Sequence, residues 1–277
     1  MNKSKPKIIF FGNGRLAESA LETLAPNTDI IFHAKTKEDL ETVKSLKREN
    51  PDALGILASF GVIIKQDCLE LFEPEGILNI HPSLLPLYRG ASPIESAILA
   101  GDSDFSVSIM KLVPAMDAGP IYHQETFVNL ELDKNKIYKT LAIAGATWLI
   151  ENLINLQSFH KNPNQSLFPE YHSQDNSKAT FTKKMDKAQS FLTPETDSAN
   201  TTLRKIIAFQ DYPKPKYNLF NQEVIILSAH IEKNYPESIN NLSIKCADGQ
   251  RIIIDRLQPT SRKPMDAKSF LNGLANK

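Results

Sequence analysis

The sequence has little cysteine, no net charge and no long hydrophobic run, and each shortage disfavours a class of protein. Its two cysteines, Cys68 and Cys246, lie far apart in the chain. This usage favours a reduced protein without disulfides and leaves no cysteine pair on which to build a metal site. Because 32 basic residues balance 32 acidic ones, no global field attracts nucleic acid or a membrane.

The hydrophobic runs are too short for a membrane or secretory segment. No run reaches the roughly 18 apolar residues of a transmembrane helix. The apolar run near the N-terminus, residues 8–11, is too short for the core of a signal peptide. We therefore expect no membrane partner and a cytoplasmic location. The 41% hydrophobic and 23% charged shares are typical of a globular chain, and 277 residues suffice for one large or two ordinary domains.

The first half of the chain alternates short β-rich runs with amphipathic helical segments. The predicted strands are Lys7–Phe11, Asp29–Ala34, Ala53–Ser59 and Gly76–Ile80, and the intervening helices include Arg15–Leu24 and Lys37–Glu49. This order predicts an α/β fold with a mostly parallel, Rossmann-like sheet covered on both faces. Further on, the pattern predicts a helix at Pro93–Ala100, an antiparallel pair at Ser106–Val113 and Ile121–Val128, and a long helix at Ile137–Leu156.

The second half has a different composition. Phe159–Lys187 is polar with few strand or helix signals, whereas a helix at Thr201–Phe209 and strands at Val224–Ala229, Leu242–Cys246 and Arg251–Leu257 follow. We therefore predict an N-terminal domain at 1–158, a linker at 159–187 and a small OB-like β-barrel at 188–277. The last segment holds 12 Lys and Arg against 9 Asp and Glu, so it is mildly basic.

The segment Gly12–Ala17 (GNGRLA) fits the G-x-G-x-x-G/A pattern between a strand and a helix. A dinucleotide site of this kind also needs an acid at the end of the second strand to bind ribose. That strand ends in His33-Ala34-Lys35 instead, and Asp29 lies at its opposite end. A tight strand-to-helix turn is therefore favoured over a cofactor loop.

A polar pair, Asn79 and His81, ends a strand that the sequence predicts to be parallel. Residues two apart in a strand share a face, and ligands of open α/β sheets bind at the carboxyl ends of strands. Asn can donate to a developing oxyanion and His can carry a proton near neutral pH. Asp117, in a Gly/Pro loop, is either an ordinary turn residue or the carboxylate that partners the histidine.

Several motifs resemble the 10-formyltetrahydrofolate-dependent formyltransferases. The first is Asn79–Pro86 (NIHPSLLP), followed by Tyr88–Gly90 (YRG) and by Asp117-x-Gly119 thirty-six residues after the histidine. Other similar segments are Ala58–Gly61, Gln174-Asp175, Ala179–Phe181, Arg204–Phe209, Leu257–Pro259, Lys263–Met265 and Ser269–Gly273. The whole pattern is most similar to the members that act on methionyl-tRNA.

The resemblance implies a mechanism in which a free amine attacks the formyl carbon of 10-formyltetrahydrofolate. Asn79 and protonated His81 would stabilise the oxyanion, and Asp117 would raise the pKa of His81 and help move the proton to the folate nitrogen. It also implies a folate site without a metal, lined by Ser83, Leu84, Leu85 and Pro86 and closed by the backbone near Phe60 and Gly61. The C-terminal domain would dock the acceptor stem of initiator methionyl-tRNA. A monomer is favoured.

One departure from that pattern keeps other functions open. The tRNA-modifying members usually carry a basic Gly/Arg-rich loop after the second strand, whereas about sixteen residues separate Thr36 from Ala53 here and no GRG sequence occurs. The alternatives are a formyltransferase acting on an amino sugar nucleotide and an RNA-binding protein that retains the fold. A glycinamide ribonucleotide formyltransferase would leave the last 90 or so residues unexplained.

Overall fold

The computed structural model describes residues 5–161, 170–232 and 242–275. The chain forms two compact units: Met1–Ile94 with Ser103–Lys183, and Glu95–Asp102 with Lys184–Lys277. Residues 162–169 of the predicted linker lie outside the described residues. The described residues 170–183 belong to the first unit. The predicted domain division at 158 and 187 stays a prediction.

The described residues of the two units form thirteen strands and seven α-helices. The strands are β1 (Lys7–Phe11), β2 (Asp29–Ala34), β3 (Leu54–Leu57), β4 (Ile77–His81), β5 (Arg89–Gly90), β6 (Phe105–Lys111), β7 (Ile121–Phe127), β8 (Phe181–Thr182), β9 (Lys216–Leu219), β10 (Gln222–Ile231), β11 (Ser243–Lys245), β12 (Arg251–Pro259) and β13 (Met265–Asp266). The helices are α1 (Arg15–Leu24), α2 (Asp39–Glu49), α3 (Gln66–Leu69), α4 (Pro93–Ala100), α5 (Lys134–Lys161), α6 (Ala199–Ala208) and α7 (Ala267–Ala275).

The first unit contains a six-stranded sheet in the order β2-β1-β3-β4-β6-β7. The first four strands are parallel, and β6 and β7 continue the sheet in antiparallel pairing. Strands β3 and β4 are buried along their whole length, which explains the continuous apolar run in the sequence of β3. The predicted mostly parallel α/β fold is confirmed.

The turn after β1 is shaped by close contact between backbones. A Cβ on Gly12 would lie 2.0 Å from the carbonyl oxygen of Ala58, so only glycine fits where β1 passes β3. The Gly12 amide donates to the carbonyl of Ala34 at 2.9 Å, and Nε2 of His33 hydrogen-bonds the carbonyl of Gly12 at 2.8 Å. The glycine-rich segment thus forms a tight strand-to-helix turn.

The second unit contains an antiparallel half-barrel. Its strands follow the order β11-β12-β10-β9, and β13 pairs with β12. The core beneath α6 and α7 includes Val224, Ile226, Ile252, Ile254 and Leu257. The three predicted strands are present, while β9 and β13 were not foreseen. Across the described parts of both units, no helix combines the length and apolar character needed to span a membrane.

Candidate active site

Asn79 and His81 lie side by side at the carboxyl end of β4. Strand alternation puts their side chains on one face of the sheet and turns Ile80, which is fully buried, into the core. The strand is fixed in the middle of the sheet because β4 pairs with β3 on one side and β6 on the other. Both polar side chains therefore occupy positions set by the rigid part of the fold.

The Asn79 side chain has its hydrogen-bonding groups available. Asn79 is almost completely buried, yet no partner within the described residues hydrogen-bonds its amide. A buried amide without a partner is costly unless water or a ligand reaches it. Neither polar atom of the Asn79 side chain is fully enclosed without a partner. Both atoms are therefore accessible at the end of the strand. The geometry therefore provides a neutral donor for a ligand oxygen.

His81 contacts the chain through both ring nitrogens. Nε2 lies 3.2 Å from the carbonyl oxygen of Tyr88, and Nδ1 lies 3.8 Å from Oδ1 of Asp117. Because a carbonyl oxygen can only accept, the first contact assigns the proton of the neutral ring to Nε2. Nδ1 then carries a lone pair beside the carboxylate, at a separation longer than a hydrogen bond.

Burial dominates the protonation of His81. Desolvation lowers its pKa, the Asp117 carboxylate and the Tyr88 hydrogen bond raise it, and the positive charge of Arg89 lowers it further. The net pKa lies below the ordinary value of 6.5. The expected effect of Asp117, which raises the pKa of His81, is present, but the cost of burying the imidazolium exceeds the attraction of one carboxylate at 3.8 Å. At neutral pH the ring is neutral.

This protonation state predicts a pH-dependent loss of stability. Below pH 6.5 the unfolded chain protonates His81 before the folded protein does, so folding must give up a proton and stability falls as pH falls. Between pH 7.5 and 5.5, the free energy of unfolding measured in urea should decline less for His81→Asn than for the wild type, because asparagine is similar in size but does not titrate. Equal declines in both proteins would contradict the assignment.

The loop that carries Asp117 has a backbone that few sequences can follow. Asp117 itself has a φ of +46°, and a Cβ on Gly119 would lie 1.8 Å from the carbonyl oxygen of Lys111. The Asp117 carboxylate accepts from the amide of Gly90 through Oδ2 at 2.8 Å. The Asp-x-Gly spacing thus brings the carboxylate beside His81, and of the two interpretations left open by the sequence, the structure favours the partner carboxylate.

The segment predicted to line the folate site divides into inward and outward side chains. The Ser83 hydroxyl donates to the carbonyl of Leu87 at 2.7 Å, and Leu85 packs with Met110 and Ile121. Leu84 is 40% exposed. Ser83 and Leu85 therefore shape the segment, and Leu84 presents an apolar side chain at its surface.

The second predicted folate segment has the same division. The Phe60 ring is buried and meets the Phe11 ring at 5.6 Å in an edge-to-face arrangement. Gly61 is exposed, and a Cβ there would meet no atom within 4 Å. Only the backbone at these two positions can face a ligand. Pro86, partly buried, offers its carbonyl to the amide of Thr180 at 3.2 Å.

Sequence reasoning missed Ser108, which organises the segment that follows His81. Its hydroxyl donates to the carbonyl of Ser83 at 2.6 Å and accepts from the amides of Leu85 at 3.1 Å and Gln124 at 2.9 Å. Ser108 is fully buried and pairs with His81 across β4 and β6. The available signal was the alternation of Ser106 and Ser108 in an otherwise apolar strand.

Ser108→Ala should lower the free energy of unfolding by about 1–3 kcal/mol, because it leaves the buried amide of Leu85 without an acceptor. Ser106→Ala is the matched control, since Ser106 lies two residues away on β6 and its hydroxyl contacts Thr126 near solvent. Urea unfolding of both variants checks the prediction. An equal, small loss of free energy of unfolding in both variants would show that the Ser108 hydrogen bonds contribute little to stability.

The sequence also gave no structural role to residues 172–182, which we call the strap. The strap residue Thr180 accepts from the amide of Tyr88 through its hydroxyl at 2.7 Å and from the amide of Arg89 through its carbonyl at 2.9 Å. Strand β8 of the strap pairs with β5. The strap was visible only as motifs similar to the family linker, and its described residues hold the loop after His81.

No metal centre can be assigned within the described ranges, because they contain no cluster of three or more His, Cys, Asp or Glu suited to hold an ion. The donors of the site are an amide, an imidazole and one carboxylate. Such a set suits proton transfer and oxyanion stabilisation at a carbonyl carbon.

Comparison with known proteins assigns the chain to a family. A model described as "Formyl transferase" matches residues 5–153, and one described as "Formyl transferase, C-terminal domain" matches residues 184–275. The chain belongs to the formyl transferase family. This formyltransferase is 32% identical over 269 residues to the methionyl-tRNA formyltransferase of Wolbachia pipientis subsp. Culex pipiens (strain wPip), with 94% of this chain and 83% of the relative covered.

Solved structures share the fold of this formyltransferase. The methionyl-tRNA formyltransferase from Clostridium thermocellum matches with a TM-score of 0.61 and 16% identity, covering 92% of this chain and 98% of the other. An N-formyltransferase from Helicobacter canadensis, in complex with folinic acid and dTDP-3-aminofucose, matches with a TM-score of 0.63 and 17% identity, covering 93% and 100%. At these identities the likeness shows the fold alone.

Proposed function

We propose that this formyltransferase transfers the formyl group of 10-formyltetrahydrofolate to the free amine of initiator methionyl-tRNA. The observation that carries the chemistry is a triad, the buried pair of Asn79 and His81 at the end of β4 with the Asp117 carboxylate of the β6–β7 loop beside the ring. The likeness to relatives named methionyl-tRNA formyltransferase over both units supports the acceptor.

The triad can act on the carbonyl carbon of the formyl group in two ways. As the amine attacks, a C–N bond forms and the formyl oxygen becomes an oxyanion, which the amide of Asn79 stabilises by donating a hydrogen bond. Neutral His81 takes the proton from the attached amine at Nδ1. The resulting imidazolium is then stabilised by Asp117, whose carboxylate lies 3.8 Å away.

The reaction ends when the C–N bond to the folate nitrogen breaks. The departing nitrogen needs a proton, and protonated His81 can return the one that it took from the amine. The lowered pKa of His81 helps here, because it makes the imidazolium a better acid. The ring thus begins and ends neutral, with no net proton gained or lost by the protein.

We propose that the folate lies against the segment Ser83–Pro86, between the exposed side chain of Leu84 and the exposed backbone at Gly61. These two positions are open, whereas the buried Ser83 and Leu85 side chains hold the segment in shape. An apolar side chain and free backbone groups suit a pterin, which is flat and has hydrogen-bonding edges.

We propose that the C-terminal unit contacts the acceptor stem through phosphates, since residues 188–277 carry a net charge of +3. The compartment that suits this acceptor is the cytoplasm. A connection of only four residues, 35–38, joins β2 to α2. Recognition of the tRNA therefore has to rely on other surfaces than a long loop at this position.

A formyltransferase of an amino sugar nucleotide is the second candidate. Two observations favour it: the short connection between β2 and α2, and the shared fold with the enzyme bound to dTDP-3-aminofucose. A non-catalytic RNA-binding protein is the third candidate. The presence of Asn79, His81 and Asp117 together disfavours it.

An acceptor competition separates the three. Purified protein is given 10-formyltetrahydrofolate and an equal concentration of charged initiator methionyl-tRNA and of a dTDP-amino sugar, and both products are measured by mass spectrometry. Formylated methionyl-tRNA is expected. A formylated sugar alone would establish the second candidate, and RNA binding without either product would establish the third.

A further inference from the structure

The side-chain amide of Gln174, in the strap, joins the two loops of the active site. Its Nε2 donates to the carbonyls of Asp117 and Gly119, each at 2.8 Å. Its Oε1 accepts from Nε and Nη2 of Arg89 at 3.0 and 2.6 Å. Carbonyls only accept and a guanidinium only donates, so the amide can have just one orientation, and its full hydrogen-bonding capacity is used.

Arg89 is a firm anchor for this amide. Its guanidinium is buried, and Nη2 also donates to Oδ1 of Asn176 in the strap at 2.8 Å. Its backbone is paired with β8 as part of β5. A buried guanidinium must keep its acceptors, so Arg89 and Gln174 hold each other in place.

The Asp117 loop needs such an anchor. The left-handed backbone of Asp117 is strained and persists only where surrounding contacts hold it. The two hydrogen bonds from Gln174 hold the loop at Asp117 and again at Gly119. The positions of Asp117 and Gly119 determine where the Asp117 carboxylate lies relative to Nδ1 of His81.

We propose that Gln174 is a positioning residue for formyl transfer, which acts by fixing the Asp117 carboxylate beside His81. It contacts the loop through main-chain carbonyls and leaves Oδ1 of the carboxylate facing the ring. Displacement of a reacting group by about 1 Å is enough to cost a hundredfold in rate. The rate effect of this role rests on the proposed function, while the effect on His81 does not.

Gln174→Ala should lower kcat by about 10- to 100-fold, the loss expected from two hydrogen bonds that hold the loop. KM for both substrates should stay close to that of the wild type. Ser177→Ala is the matched control, because Ser177 lies in the strap and its hydroxyl contacts only Asp175 among the bonds assigned to it. A wild-type kcat in Gln174→Ala would overturn the proposal.

A double-mutant cycle separates positioning from a general loss of structure. If Gln174 acts through Asp117, its replacement should have little further effect on kcat once Asp117→Asn has removed the carboxylate. The proposal would be overturned if Gln174→Ala lowered kcat by the same factor in the wild type and in Asp117→Asn. Should Gln174→Ala not fold, Gln174→Glu repeats the cycle, since it keeps an acceptor for Arg89 and loses both donors to the Asp117 loop.

A titration gives a readout that needs no turnover. The Hε1 proton of His81 is followed by NMR against pH, and the signal is identified by its absence in His81→Asn. In Gln174→Ala the pKa of His81 should fall below the wild-type value, because the carboxylate that favours imidazolium moves away. An unchanged pKa would overturn the proposal. If this shift appears but the wild type does not formylate methionyl-tRNA, the proposed function fails and the positioning role stands.

Discussion

His81→Ala lowers kcat for formyl transfer by at least about a hundredfold, the usual contribution of a positioned general base and acid. In the proposed mechanism the ring carries the proton from the amine to the folate nitrogen, because Nδ1 has a lone pair and lies beside the Asp117 carboxylate at 3.8 Å. Single-turnover transfer from 10-formyltetrahydrofolate to methionyl-tRNA measures the chemical step directly. The expected change is in this rate and not in the affinity for either substrate.

His123→Ala is the control for this prediction. His123 lies on β7 of the same sheet, and its ring stacks on Trp148 at 5.4 Å, away from the triad. Its replacement should leave the single-turnover rate close to that of the wild type. Free imidazole should restore part of the rate in His81→Ala, since it can enter the space vacated by the ring. Near-normal turnover in His81→Ala without imidazole would exclude the mechanism.

Asp117→Asn also lowers the single-turnover rate by about a hundredfold or more. Asparagine keeps the size of the side chain, and its Oδ1 can still accept from the amide of Gly90, so the loop retains its shape. The change removes the negative charge that stabilises the imidazolium. The amide N–H introduced by the substitution can also donate a hydrogen bond to Nδ1 of His81, so that Nδ1 is no longer available to accept a proton.

The same variant makes a prediction about protonation that separates charge from shape. Because the Asp117 carboxylate raises the pKa of His81 against the effect of burial, Asp117→Asn should lower that pKa below the wild-type value. Asp117→Glu keeps the charge on a longer side chain and is expected to retain more rate than the asparagine variant. Equal rates in these two variants would mean that the carboxylate charge does not matter.

The parts of the fold that could be predicted are those where local sequence and burial agree. Strand β3 is a continuous apolar run because both of its faces are covered. The alternation of Asn79 and His81 with Ile80 follows from strand geometry alone. The spacing of Asp117 from Gly119 was recognisable as a motif, although only the structure shows which backbone the glycine allows.

The missed elements depend on contacts between distant residues. Strand β9 pairs with β10 through the turn Phe220-Asn221, where both residues have positive φ, and phenylalanine gives no turn signal in a sequence. The strap reads as a polar linker because its hydrogen bonds go to loops about 55 to 90 residues away. The raising effect of Asp117 on the pKa of His81 was predicted, whereas the larger lowering effect of burial was not, since burial cannot be read from the spacing of charged residues.

The most direct test of the central claim is a single-turnover experiment with isotopically labelled 10-formyltetrahydrofolate and charged initiator methionyl-tRNA. The wild type should place the label on the methionine amine, and His81→Ala and Asp117→Asn should do so at least about a hundredfold more slowly. The claim is contradicted if the wild type leaves methionyl-tRNA unlabelled, or if the two variants label it as fast as the wild type does.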